Sequence, residues 1–129
     1  MDKKTVLLVL CRKVIAGLLV EAIESRTGLE PVGIYEFKQA KNTALLQKPK
    51  IALIEIPERH GAPAQETLVV CEEIKAASPG CKIILVCPEN DQASVKACQD
   101  AVKSGKIQDF MFYDISVDYL VAKLEALLP

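Results

Sequence analysis

The sequence predicts an α/β fold in which a five-stranded parallel sheet is covered by helices on both faces. Apolar runs of strand length occur five times along the 129 residues, and a helical pattern follows each of them. Three of the runs are almost continuously apolar, which is typical of parallel strands buried on both faces. Strict alternation of strands and helices indicates a doubly wound sheet. The length fits one domain, so we predict a single unit spanning residues 1–129.

Turn-forming residues separate the predicted strands from their neighbours. Gly28 and Pro31 precede the second apolar run, Pro57 ends the third, and Pro88 ends the fourth. Gly105 precedes the fifth run. The predicted strands are residues 5–10, 31–37, 51–56, 81–87 and 107–113.

The predicted helices each carry apolar residues at helical spacing on one side. Gly28 ends the first helix, and the second is the shortest and least regular. Asp91 and Ser116 are predicted to be N-caps of the fourth and fifth helices, because their side chains accept hydrogen bonds from the first turn. The predicted helical segments are residues 14–23, 38–46, 64–77, 91–104 and 117–128.

Composition excludes several classes of protein. Lys plus Arg is 16 and Asp plus Glu is 17, so the chain lacks the excess positive charge of a nucleic-acid-binding domain. Five cysteines without a Cys-x-x-Cys pair, together with one histidine, predict reduced thiols and no metal site. No run approaches the roughly 18 apolar residues of a membrane span. We therefore expect a cytoplasmic domain without a cofactor, nucleic acid or membrane partner.

Chemistry in such a fold is expected where the strands end, because open parallel sheets bind ligands at the carboxyl edge. The turn after the first strand contains no Gly-x-Gly-x-x-Gly and no P-loop, which excludes the common dinucleotide and nucleotide sites. The residues that the sequence places at this edge are Leu10, Cys11, Glu55, Cys87, and Tyr113 with Asp114.

Three stretches resemble the CheY-like receiver domains of two-component response regulators. The most specific is LVVCEEIKAASPGCKIILVC (68–87), in which a helix ends in a basic-Ala-x-Ser-Pro turn before an apolar strand. QKPKIALIEI (47–56) and DFMFYD (109–114) are similar to the third and fifth receiver strands. The resemblance spans the chain. It implies the flavodoxin-like strand order 2-1-3-4-5 and a function in phosphorelay signalling.

The same resemblance implies that the phosphorylation pocket has degenerated. The two magnesium-binding acids are replaced by an apolar residue and a thiol, and the phosphoacceptor aspartate by glutamate. The hydroxyl residue, the lysine and the switch aromatic of the family are also changed. The positions of the magnesium-binding acids fall on Leu10 and Cys11, and that of the phosphoacceptor falls on Glu55. The positions of the hydroxyl residue, the lysine and the switch aromatic fall on Cys87, Tyr113 and Phe110.

These replacements argue against phosphoryl transfer. Magnesium prefers hard oxygen ligands, and neither Leu10 nor Cys11 supplies one. Transfer also requires a metal and a cation that neutralise developing charge. We therefore predict a pseudo-receiver that is not an enzyme and acts by protein–protein interaction with another protein or its own dimer mate. An output domain could follow Pro129 in a longer chain.

Two other functions stay open from the sequence. One is a thiol-based sensor or enzyme that uses Cys11, because a helix N-terminus together with Arg12 and Lys13 would favour the thiolate. Cys87 is expected across the same crevice. The other is an atypical receiver that still accepts phosphate. Glu55 has two interpretations as well: a mimic of the phosphorylated state, or a solvated carboxylate at a strand end.

The resemblance also implies an interaction face formed by the fourth helix, fifth strand and fifth helix, at residues 91–128. Receivers commonly signal through this surface. Met111 and Phe112 on the strand and Tyr119 on the helix are predicted to contribute large apolar side chains to it.

Overall fold

The computed structural model describes residues 4–58, 61–113 and 116–128, with only the backbone for residues 13–15. Its strands are β1 (Thr5–Val9), β2 (Glu30–Ile34), β3 (Ile51–Glu55), β4 (Lys82–Cys87) and β5 (Asp109–Phe112). They form one sheet in the order β2-β1-β3-β4-β5, and every pairing is parallel. This confirms the predicted doubly wound α/β fold and the strand order that the receiver resemblance implies.

Helices follow each strand, as predicted. They are α1 (Lys13–Arg26), α2 (Ala40–Gln47), α3 (Pro63–Ala77), α4 (Gln92–Lys103) and α5 (Val117–Leu127). Both predicted N-caps are present: Asp91 accepts a 3.2 Å hydrogen bond from the Ser94 amide, and the Ser116 hydroxyl accepts one of 3.1 Å from the Tyr119 amide. Among the described residues, no helix combines the length and apolar character needed to cross a membrane.

The sheet has one buried core on each face, because side chains alternate along its strands. Leu53 and Ile84 belong to the core that α1 and α5 cover. Ile54 and Leu85, one residue further along the same strands, belong to the core beneath α2, α3 and α4. The central strands are therefore buried on both faces, which explains their continuous apolar runs.

The second strand is shorter than the predicted 31–37. Its last pairing joins Ile34 to Val9, where β1 itself ends, and the Leu10 amide donates the final hydrogen bond, of 3.2 Å, to the Ile34 carbonyl. The chain then forms a 3-10 turn at Phe37–Gln39 that leads into α2. As an edge strand, β2 accommodates Pro31 and Gly33, residues that weaken a central strand.

The fifth strand presents its side chains to two faces, which corrects part of the predicted interaction face. Met111 is 6% exposed and lies in the α1/α5 core, so it is not a surface residue. Phe110 and Phe112 are half-buried on the opposite face, with their rings edge to face at 5.8 Å. Tyr119 is 53% exposed on α5.

Candidate functional site

Three polar side chains converge where β1, β3 and β5 end. Glu55 is the last residue of β3, Arg12 lies just beyond β1, and Tyr113 follows β5. Parallel pairing brings these carboxyl ends to one edge of the sheet. The convergence is therefore a direct consequence of the topology.

Glu55 is buried, with 5% of its surface exposed, and both of its carboxylate oxygens are engaged. Oε1 accepts a 3.0 Å hydrogen bond from the Cys11 amide, and Oε2 accepts one of 3.1 Å from Arg12 Nε. The interpretation of Glu55 as a solvated carboxylate is therefore wrong. A buried charge needs a partner, and here Arg12 provides it.

Arg12 joins the three strand ends. Besides Glu55, its guanidinium contacts Glu58, with Nη2 at 2.9 Å from Oε1. The guanidinium carbon lies 3.9 Å from the centre of the Tyr113 ring, within cation–π range. Sequence reasoning assigns Arg12 only the role of a charge next to Cys11. Its proximity to Glu55 could have been inferred from the topology, because the two residues lie at the carboxyl ends of adjacent parallel strands.

Tyr113 closes the site from the β5 side. Its hydroxyl donates a hydrogen bond to the Ile56 carbonyl, so the phenol is anchored beyond the end of β3. Burial raises the pKa of Tyr113, and the negative charge of Glu55 raises it further. The neutral phenol is therefore the form that this environment stabilises.

We expect Tyr113→Phe to reduce the loss of stability at alkaline pH. Because the folded state raises the pKa of Tyr113, it holds the phenolic proton more tightly than the unfolded chain does. The stability linked to this proton is complete below the unfolded pKa of about 10 and is lost as the pH rises above it. Urea unfolding between about pH 9 and about pH 11 measures the effect. Tyr119→Phe is the matched control, and an equal alkaline loss in wild type and Tyr113→Phe would contradict the expectation.

Cys87, which is expected across the crevice from Cys11, does not point to the side of the sheet where Glu55 and Arg12 lie. Glu55 is paired with Val86, so the next residue, Cys87, points to the opposite face of the sheet. There it is fully buried in the α2–α4 core, together with Cys98. The hydrogen bond with Cys87 and burial both raise the pKa of Cys98.

Cys11 and Leu10 have different surroundings. Cys11 is exposed and lines a separate depression with Tyr35 and Phe37, while its backbone amide donates to Glu55. Leu10 is buried in the α1/α5 core.

The side chains at this edge do not fit the magnesium ion that binds to receivers. Leu10 supplies no oxygen, and both oxygens of Glu55 already accept hydrogen bonds from Cys11 and Arg12. The Arg12 guanidinium already places a positive charge next to the Glu55 carboxylate, where a magnesium ion would otherwise bind. In the described ranges, no group of three or more His, Cys, Asp or Glu residues could hold a metal ion.

Known structures share this fold over nearly the whole chain. A two-component response regulator from Clostridium difficile has a TM-score of 0.78 and 18% identity, covering 97% of this chain and 95% of that one. A CheY-like receiver domain from Methanospirillum hungatei has a TM-score of 0.77 and 16% identity, covering 98% and 94%. An adenylate cyclase from Rhodopirellula baltica has a TM-score of 0.82 and 12% identity, covering 98% and 87%. No protein-family model matches the sequence, and no curated protein matches it. The chain therefore has the fold of CheY-like receiver domains.

Proposed function

We propose that this domain is a non-catalytic, receiver-like signalling module of the two-component type that acts by protein–protein contact without aspartate phosphorylation. The observation that carries the proposal is the state of Glu55. The residue in the phosphoacceptor position is buried, and each of its oxygens is held by a donor from Cys11 or Arg12. A carboxylate held in this way is poorly placed to attack a phosphodonor.

The Arg12–Glu55 pair also makes the pocket independent of signal input. A receiver changes state when a phosphoryl group adds negative charge to its pocket. Here the Glu55 carboxylate is already paired with the Arg12 guanidinium, and arginine does not lose its proton in proteins. The domain is therefore proposed to occupy one signalling state constitutively.

The proposed contact surface lies on β5 and α5. Tyr119 is exposed there, next to a depression lined by Asp109, Lys123 and Leu127. Lys123 forms an ion pair with Asp109 and lies 5.7 Å from the Tyr119 ring centre. Exposed aromatic side chains with a polar rim are characteristic of protein interfaces. The partner is proposed to be another protein, a second copy of this chain, or an output domain within a longer chain.

We expect self-association in solution to be the same with and without acetyl phosphate and magnesium. Nothing in the pocket responds to a phosphodonor if the Arg12–Glu55 pair replaces the phosphorylation switch. Sedimentation equilibrium at micromolar concentration measures the association, and intact-mass spectrometry of the same samples detects any phosphoryl adduct. A stable adduct, or a shift in association with the phosphodonor, would instead favour an atypical phosphorylated receiver.

Glu55→Gln in the same experiment tests phosphoryl mimicry. If the carboxylate mimics the phosphorylated state, removing its charge should change the dimerisation free energy by about 1 kcal/mol or more. Tyr119→Ala controls for the surface itself, since it alters the proposed contact without touching the pocket. A chain that is strictly monomeric in every sample would mean that this face does not mediate self-association.

A second candidate function is a thiol-based sensor at Cys11. The observation that favours it is exposure, because Cys11 is the exposed cysteine while the other four are buried. Under the primary proposal, Cys11 should be alkylated by iodoacetamide at about the rate of glutathione, because the guanidinium of the adjacent Arg12 is paired with Glu55 and Glu58. Alkylation that is lost in the Cys11→Ser variant can be assigned to Cys11. A rate about tenfold faster than that of glutathione would favour the sensor.

A further inference from the structure

Helix α2 exposes its large apolar residues and buries its small ones. Leu45 and Leu46 are 45% and 83% exposed, whereas the buried residues of this helix are two alanines, Ala40 and Ala44. A surface helix normally turns its large apolar side chains toward the core. A single exposed leucine is common in soluble proteins, but two adjacent ones on a helix that buries only alanines form a candidate contact surface.

The orientation of α2 is fixed at its C-terminal end. Lys48 adopts a left-handed conformation with φ at 48°, and its amide donates a 2.9 Å hydrogen bond to the Ala44 carbonyl. Its ammonium group donates to the Ala77 carbonyl at the end of α3, at 2.7 Å. Turning the helix far enough to bury Leu46 would break this contact with α3. The leucines therefore stay exposed in the free domain.

The charged side chains next to these leucines are positive. Lys41 precedes Leu45 by four positions and Lys48 follows it by three, so both lie beside it on the helix surface. Helix α2 itself contains no acidic residue, and Lys38, just before it, is paired with Glu36 at 3.1 Å. Among the described residues, no carboxylate is within ion-pair distance of Lys41 or Lys48. The surface therefore combines apolar area with unpaired positive charge.

The outer face of α2 consists of Lys41, Leu45, Leu46 and Lys48, and its chemistry selects the kind of partner. Apolar side chains of a partner would cover the leucines, while carboxylates at the rim would pair with the lysines. An amphipathic helix whose apolar stripe is bordered by Asp and Glu supplies both. A second copy of this chain fits less well, because a twofold contact between two α2 helices would bring the lysines of both copies into one interface.

We propose that the outer face of α2 docks an acidic amphipathic helix of another protein. Leu45 and Leu46 pack against the apolar stripe of that helix, and the two lysines pair with its carboxylates. This surface is distinct from the proposed contact surface on β5 and α5, because α2 packs against α3 and β1 while β5 lies at the far edge of the sheet. The domain would then hold two different partners at the same time.

The test is a titration of the isotope-labelled full chain with a synthetic helical peptide, followed by NMR of the backbone amides. The peptide has about 18 residues, with leucines on one helical face and glutamates on the others. Saturable shifts should be centred on residues 38–48. A peptide with lysine in place of every glutamate, and one with serine in place of every leucine, should each bind at least about tenfold more weakly. Equal binding of the glutamate and lysine peptides would overturn the assignment of an acidic partner.

Leu46→Ala places the contact on α2, because it removes most of the exposed apolar surface at that position. Affinity for the glutamate peptide should fall at least about tenfold in this variant. Leu18→Ala is the matched control, since Leu18 is 57% exposed on α1 at the opposite face of the sheet. Equal effects of the two substitutions, shifts on β5 and α5 instead of α2, or no saturable binding would each overturn the proposal. None of these outcomes would affect the proposed function, which does not involve α2.

Lys41→Glu tests the charge on the same face. This variant should bind the glutamate peptide less tightly and the lysine peptide more tightly than wild type does. Lys103→Glu, at an exposed position on α4, should change neither affinity, because a distant charge is screened at physiological salt. Equal effects of both reversals would overturn a specific role for Lys41. Loss of self-association in the peptide-free Leu46→Ala variant would show that α2 binds a second copy, which would overturn the assigned partner.

Discussion

Arg12→Ala should lower the free energy of unfolding by about 2–3 kcal/mol, although the arginine is close to the surface. The loss arises because Glu55 stays buried after its cation is removed. Breaking a fully buried pair costs about 3–5 kcal/mol, and Arg12 is 39% exposed, so solvent reduces the effect. Urea unfolding at neutral pH, followed by circular dichroism, measures the change.

Arg26→Ala is the matched control for that experiment. Arg26 also forms an ion pair, with Asp118 at 2.6 Å, but both partners are exposed. An exposed pair contributes at most about 1 kcal/mol, so this variant should stay close to wild type. The double variant Arg12→Ala/Glu55→Gln should recover part of the lost stability, because it no longer buries an unpaired charge. If Arg12→Ala costs no more than Arg26→Ala, the pair does not stabilise the domain.

Leu53→Ala should lower the free energy of unfolding by about 3–5 kcal/mol in total, which is a larger loss than that expected for Arg12→Ala. Leu53 is fully buried in the middle of β3, in the core that α1 and α5 cover. Truncation leaves a space that the surrounding core side chains can fill only partially. A loss of this size is a large fraction of the roughly 5–15 kcal/mol that stabilises a typical domain.

The control for Leu53→Ala is the same substitution at Leu46, which is 83% exposed on α2. Because the Leu46 side chain is already in water in the folded state, folding buries little of its apolar surface. Leu46→Ala should therefore change the free energy of unfolding by less than about 0.5 kcal/mol. Thermal unfolding by calorimetry compares the two variants directly. Similar melting temperatures for both would show that Leu53 is less well packed than its burial indicates.

The fold could be predicted from the sequence because local patterns encode it. The apolar runs that form β1, β3 and β4 are continuous since both faces of these strands are buried. The caps at Asp91 and Ser116 were also predictable, because an N-cap depends on a few adjacent residues. The end of β2 was less predictable, since it depends on where its neighbour β1 stops pairing.

The candidate site was only partly predictable, because its contacts depend on long-range register. Arg12 and Glu55 are 43 positions apart in the sequence, so no local pattern joins them. Strand parity could have corrected two expectations. Cys87 is paired with Phe112, and Val86 with Met111, so the side chains of Cys87 and Met111 belong to opposite cores. The positions at the carboxyl edge were identified, but not the faces to which their side chains point.

Pro31 in the edge strand β2 has a consequence for behaviour at high concentration. An unpaired strand edge offers backbone donors and acceptors to other chains, and continuous edges promote aggregation by strand addition. Pro31 has no amide proton, and Gly33 two residues later contributes no side chain to a new sheet contact. The edge of β2 is therefore a poor template for an intermolecular β-sheet. Although the chain is rich in β-forming apolar runs, we expect it not to form fibrils by strand addition at β2.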